Sequence, residues 1–132
     1  MKALDTNVLV RFLVRDDAFQ AEAIYSIFKQ AEANKEVFWV PLLVVLETLW
    51  VLESVYEIPR QEIIDAISEL LLMPILKFEN PSAIQRFFYS AREARIDLSD
   101  LLIAHSAISS GCECVLTFDR RASKFEHFEL IG

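Results

Sequence analysis

The chain has 132 residues, 54% of them hydrophobic, and a formal net charge of −7. A chain of that length can bury one sizeable core. Its acidic balance excludes a whole-molecule basic field of the kind that holds nucleic acid without sequence preference. The apolar fraction exceeds the usual one for a small soluble domain, so a partner-covered surface is expected. Asp5, Asn7 and Arg11 interrupt the first apolar run, which therefore does not read as a signal peptide. The longest apolar stretch, residues 42–52, is broken by Glu47-Thr48 and is too short to span a bilayer. Cys112 and Cys114 are one residue apart, badly placed to bridge each other and without the second half of a zinc site. Free thiols in a reducing cytoplasm are the expectation.

Residues 2–5 read as a short strand. The pattern changes at once: Val8, Leu9, Phe12 and Leu13 recur at helical spacing, which predicts a helix over residues 7–14. Arg15-Asp16-Asp17 is a loop, and Ala21, Ile24, Ile27, Phe28 and Ala31 share one face of a second helix over 18–33. The continuous apolar run 37–40 suits a buried strand. Pro41 opens a third helix that runs to about residue 56 and is apolar nearly all round. A fourth helix covers 60–72, a third strand 75–78, and Asn80-Pro81 opens a fifth helix that runs to about 95. Asp97 or Ser99 caps a sixth helix, 100–109, which Gly111 closes. Residues 114–118 form a fourth strand and 128–131 a short fifth. Strands separated by helices predict an α/β fold: a three-layer α/β/α sandwich around a central, mostly parallel sheet of four to five strands, in one domain spanning 1–132.

Acidic residues fall at telling places. Asp5 ends the first strand and Asp119 the fourth; if those strands lie side by side, both carboxylates meet at one sheet edge, where ligands bind in open α/β folds. Glu47 sits in the middle of the apolar third helix. A carboxylate buried there is costly unless it is paired, protonated, metal-bound or facing a cleft; an ion pair with Arg11 is the plain structural alternative. Asp97 and Asp100 share the first turn of the sixth helix, where a cap or a helix-dipole role competes with a ligand role. Asp5 and Asp119 have structural alternatives too, as cap and turn residue. Two unit charges 4 Å apart repel by roughly 4 kcal/mol at an effective dielectric of 20. Gathered acids therefore call for a cation. Oxygen-only donors select Mg²⁺ or Mn²⁺ over zinc, and such a site suits phosphodiester hydrolysis.

Leu4-Asp5-Thr6-Asn7-Val8-Leu9, a Glu in the third helix, the run from Asp97 to Ala104, and Leu116-Thr117-Phe118-Asp119 together resemble a PIN-domain ribonuclease, in particular the VapC-type toxins of toxin–antitoxin pairs. The resemblance covers nearly the whole chain. It implies Asp5, Glu47, Asp100 and Asp119 as the catalytic, metal-binding acids, with Glu47 acting directly or through water and Asp97 as a candidate fifth member. Thr6, Asn7 and Thr117 would support them. It also implies hydrolysis of RNA to a 3′-hydroxyl and a 5′-phosphate, and a small antitoxin partner.

Arg11 and Arg15 are four apart on the first helix, a mildly repulsive spacing that a phosphate, an acidic partner, or simply Asp16, Asp17 or Glu22 would relieve. Arg120, Arg121 and Lys124 follow Asp119. These basic residues are the candidates for contact with RNA or antitoxin. His105 lies off the face of Asp100 and is expected to pack or be exposed rather than bind metal. The surplus apolar surface of the third helix, Leu49 and Trp50 included, predicts a homodimer, and the resemblance implies a groove for an amphipathic antitoxin segment. Two other classes compete. A haloacid-dehalogenase-like phosphatase also carries an Asp after its first strand, but needs a second acid where this chain has Asn7. A catalytically inactive binding module on the same fold would be expected to have lost the acids that this chain retains.

Overall fold

A computed structural model describes residues 1–132. They form two compact units, Met1–Glu79 and Asn80–Gly132. The first contains β1 (Lys2–Ala3), α1 (Thr6–Val14), α2 (Ala18–Asn34), β2 (Phe38–Val40), α3 (Leu42–Ser54), α4 (Arg60–Leu71) and β3 (Leu76–Phe78). The second contains α5 (Pro81–Glu93), α6 (Leu98–Ser109), β4 (Val115–Thr117), a 3-10 turn (Ala122–Lys124) and β5 (Phe128–Leu130). The alternation expected from the sequence is present, and the fold class is α/β. Every strand pairing is parallel: β1 with β2, β2 with β3, and β4 with β5. The strands hydrogen-bond as a three-stranded and a two-stranded ladder instead of one sheet of four to five. Each has only two or three residues, so each offers few ladder bonds.

In the first unit the core is built on helical spacing. Leu9 and Val10 of α1, Ile24 and Phe28 of α2, and Ile63, Ile64, Ile67 and Leu70 of α4 are buried, the apolar stripes that amphipathic helices turn inward. Between them lie Phe38 and Val40 of β2 and Leu76 and Phe78 of β3. Phe28 stacks obliquely on both Phe12 and Phe38, with ring centroids 5.0 and 5.7 Å apart. Helix α3 buries Val45, Thr48, Leu49 and Leu52. Its other side remains open: Leu43 is 78% and Trp50 57% exposed, with exposed Glu47 between them. The surplus of apolar residues on this helix therefore includes two large side chains that the chain itself does not cover.

In the second unit α5 packs on α6. Ala83, Ile84, Phe87 and Ala91 of the first and Leu98, Leu101, Leu102 and Ala104 of the second are buried. Asn80 takes the left-handed conformation at φ 55°, and its side chain caps α5 by accepting from the Ala83 amide at 3.3 Å; Pro81 fills the first helical position, where no amide is needed.

His105 is packed, one of the two outcomes expected for it, packed or exposed. It is 5% exposed, shares a 2.6 Å hydrogen bond between Nε2 and the Ser90 hydroxyl, and meets Phe125 and His127 edge-on. Its Nδ1 is buried without a partner. Burial, then the nearby His127 and Arg86, push the imidazole below its ordinary pKa, while Glu126 opposes them. The folded state thus favours neutral His105. Below about pH 6.5 the unfolded chain takes up a proton that the folded chain refuses, so stability is lost as pH falls from there to the lower folded value. Thermal melts from pH 8 to pH 5 should show this loss below about pH 6.5, and His105→Gln should flatten that part of the profile. Parallel curves for the two proteins would refute it.

Candidate active site

The first unit presents one acidic corner. Leu4 donates its amide to the Trp39 carbonyl at 2.9 Å, the last ladder bond of β1. The chain then turns into α1, and Asp5 is the N-cap: its Oδ1 accepts from the Thr6 amide at 2.6 Å, and its carbonyl accepts from the Val8 amide at 3.1 Å. The cap role is therefore real, and it leaves Asp5 exposed with its carboxylate fixed at the strand–helix junction. Thr6 is buried at 4% exposure, and its hydroxyl donates a short hydrogen bond to Oε1 of Glu47. That bond brings the middle of α3 to the start of α1. Asn7, the next residue, is exposed.

Glu47 is not the ion-pair partner of Arg11. It lies on the open side of α3, facing solvent, so its charge needs no buried counterion. Arg11 turns instead to Asp16, at 3.2 Å. Arg15 ends α1 in the left-handed conformation and stays exposed, its guanidinium 5.8 Å from the centre of the Phe12 ring.

The second unit gathers three more acids. Asp97 is the N-cap of α6: its Oδ1 accepts from the amides of Ser99 at 2.9 Å and Asp100 at 3.3 Å. Of the two cap candidates in the sequence, Asp97 is the one used. The helix accordingly starts at Leu98 instead of residue 100. Asp119 does similar work after β4, accepting at Oδ1 from the amides of Arg121 at 2.8 Å and Ala122 at 3.2 Å. Thr117 Oγ1 in turn accepts from the Asp119 amide at 3.0 Å, which fixes the turn that carries the acid. Asp100 has a different environment. Partial burial, then the negative charges of Asp97 and Asp119, raise its carboxyl above the ordinary range. Asp97 and Asp119 are close enough to oppose the ionisation of Asp100.

The donor set fits a hard divalent cation. Every candidate donor in both units is a carboxylate or hydroxyl oxygen, the class that Mg²⁺ and Mn²⁺ prefer. Asp100 supplies the sharper observation, because burial and then the charges of Asp97 and Asp119 disfavour its ionised form, which a bound cation would favour. Within neither unit do three such side chains converge as a ready-made cage. That is compatible with Mg²⁺, which uses few carboxylates and keeps several waters.

Asp16 and Tyr56 are the partners that hold Arg11. The sequence offered Asp16 only as one possible neutraliser of Arg11, and Tyr56 carried no signal, because its role depends on a contact made across 45 residues of chain. Arg120 and Arg121 are exposed beside Asp119, with Arg121 reaching the Arg95 carbonyl at 3.5 Å.

Two comparisons with known proteins bear on this arrangement. The model of the PIN domain family matches residues 2–128. The chain is also similar to a VapC ribonuclease of Aquifex aeolicus (strain VF5), with 29% identity over 126 residues, covering 94% of this chain and 91% of that protein.

The raised carboxyl of Asp100 has a thermodynamic consequence. Its folded-state pKa lies above the unfolded one, so ionised Asp100 destabilises the fold at neutral pH, and that penalty disappears as pH falls through the folded value. In metal-free buffer at pH 7, Asp100→Asn should raise Tm by about 1–2 °C, the scale of a change of a few tenths of a kcal/mol at a partly exposed site. The gain should vanish on acidification. A destabilised Asp100→Asn at pH 7 would contradict the electrostatic reading.

Proposed function

The chain belongs to the PIN domain family, and on that premise we propose that it is a metal-dependent endoribonuclease, one domain over residues 1–132, serving as the toxin of a toxin–antitoxin pair. The observation that carries the reading is that each unit holds fixed acids, Asp5 and Glu47 about Thr6 in the first and Asp97, Asp100 and Asp119 in the second, in a chain similar to a protein named VapC ribonuclease. The family match supports a nuclease over the phosphatase alternative, and retention of all four acids supports an active enzyme over an inactive module.

In this reading Asp5, Asp100 and Asp119 hold Mg²⁺ or Mn²⁺, with Glu47 contributing directly or through water. The bound ion supplies a Lewis acid and lowers the pKa of water at neutral pH. The protein's own contribution is placement. Asp5 and Asp119 are held by backbone amides, which fix their carboxylates before substrate arrives and reduce the cost of organising them. Thr6 anchors one oxygen of Glu47 and so limits the rotamers of a long side chain. Thr117 fixes the turn beneath Asp119, and exposed Asn7 lies beside the corner as a supporting polar group. Asp97 caps α6 and adds negative charge next to Asp100, a supporting role more than a ligand's.

A net charge of −7 requires local basic contacts for RNA. Arg120 and Arg121 sit beside Asp119, and Arg15 is exposed at the end of α1. Arg11, already bound to Asp16, is the least available of the four. The antitoxin and a second copy of the chain have separate candidate surfaces. An open cleft of about 350 Å³ is lined by Phe12, Arg15, Ala18, Ala21, Glu22 and Tyr25, a mixture of aromatic and charged groups suited to an amphipathic segment. The exposed Leu43 and Trp50 on α3 suit a homodimer. No helix is long and apolar enough to cross a membrane.

Cleavage of a structured RNA with Mn²⁺ or Mg²⁺ tests the activity. Wild type should cut it, excess EDTA should stop the reaction, and Asp5→Asn or Asp119→Asn should lose at least about 100-fold in rate, the usual scale for a misplaced or missing catalytic group. Equal rates in wild type and Asp5→Asn, or full activity in EDTA, would sink the proposal. Light scattering at tens of micromolar tests the self-association, with a dimer as the expected mass and Trp50→Ala shifting it toward monomer. A strict monomer that binds no hydrophobic dye would count against both partner surfaces.

A further inference from the structure

Arg11, Asp16 and Tyr56 close a hydrogen-bonded ring away from the acids. Nη1 of Arg11 donates to the Tyr56 hydroxyl oxygen at 2.7 Å and to Asp16 Oδ1 at 3.2 Å. The Tyr56 hydroxyl donates to Asp16 Oδ2 at 2.9 Å, and Arg11 Nε donates to Gln20 Oε1 at 2.8 Å. The ring joins the last turn of α1, the turn between α1 and α2, the first turns of α2, and the residue that follows the C-cap of α3.

The backbone that presents Tyr56 is itself uncommon. Glu57 follows it at φ 52°, in the left-handed region that costs a residue with a Cβ about 1–2 kcal/mol. Glu57 is exposed, so it gains no buried contact in return. The chain turns sharply there, with the Tyr56 amide reaching the Val51 carbonyl at 3.2 Å and the Ile58 amide reaching Leu52 at 3.0 Å. Strain of this kind persists where the surroundings fix it, and it is often found near functional groups.

Helices α1 and α3 also pack together directly, with Leu9 and Val10 buried on one and Val45, Leu49 and Leu52 on the other. Apolar contact of this kind is non-directional and permits small rotations. Two polar points restrict them: Thr6 with Glu47 at the start of α1, and the Arg11 ring at its end.

We propose that Tyr56 is a positioning residue for the acidic corner: its hydroxyl, held between Arg11 and Asp16, fixes α1 against α3 so that the Thr6 hydroxyl keeps its bond to Glu47. Only the kinetic consequence rests on the nuclease reading; the geometric one does not. Tyr56→Phe removes the hydroxyl and little else, so the core volume is kept.

The test uses the full chain as wild type, Tyr56→Phe, Thr6→Val and the double variant, assayed on a fluorescent RNA oligonucleotide with Mn²⁺. Tyr56→Phe should lower kcat roughly tenfold with KM within about twofold, the signature of misplaced groups and not of weakened binding. In the Thr6→Val background the same change should cost less than about twofold, since both act on one contact. The second readout is independent of catalysis: the Thr6 methyl resonance of isotope-labelled protein should move in Tyr56→Phe. If that variant folds poorly, Asp16→Asn weakens the ring from its other side and should shift kcat and the Thr6 resonance in the same directions. Additive losses in the double variant overturn the proposal. So does a lowered Tm with unchanged kcat and an unmoved Thr6 methyl, which would mark the ring as structural only. If the Thr6 methyl moves while wild type cuts no RNA, the positioning role stands and the nuclease reading falls.

Discussion

A single hydroxyl ties the start of α1 to the glutamate of the first acidic corner. Thr6 is buried, and its short hydrogen bond to Glu47 satisfies a polar group that would otherwise be stranded against the core. The bond also decides what Glu47 can do. A glutamate in an apolar helix has three side-chain torsions to lose, and one anchored oxygen removes most of that freedom. Everything around the contact serves to keep it: Asp5 caps the helix on which Thr6 sits, Leu9 and Val10 seat that helix in the core, and the Arg11 ring holds its far end.

The second unit solves the opposite problem. Burial and then the charges of Asp97 and Asp119 disfavour ionised Asp100, and the helix that carries it is among the best buried elements there, with Leu98, Leu101, Leu102 and Ala104 all inside. A rigid apolar platform lets the repulsion persist, because the backbone cannot move apart to relieve it. Marginal stability makes such an arrangement tolerable only in small doses, and the helix cap at Asp97 offsets part of it, by about 1 kcal/mol relative to an uncapped end.

Much of this was legible in the sequence, and for identifiable reasons. The change of hydrophobic period at Asp5 marked a strand handing over to a helix, and the structure puts the N-cap there. Glu47 stood out because a charge interrupts an apolar run, and it does face outward. Apolar residues nearly all round α3 announced a surplus but not its direction; which side stays open depends on where α1 and α4 pack. Arg11 had several partners on offer, Glu47 across the fold and Asp16, Asp17 or Glu22 nearby in sequence; which one a long side chain reaches depends on helix register, which no local pattern encodes, and it is Asp16. Tyr56 was silent for the same reason. The strands were found at the right places, yet their shortness, two or three residues each, was hidden by flanking apolar residues that look equally extended.

Asp5, Asp97 and Asp119 each accept backbone amides at a turn or helix start. Architecture and charge are therefore encoded in the same side chains. An asparagine at any of the three would preserve the backbone contact and discard the charge, whereas most other replacements would disturb both. A descendant of this chain released from selection on its chemistry, but still selected to fold, would accordingly drift toward Asn at these sites first. The fold would then persist as a neutral shell whose ancestry remained readable in its caps.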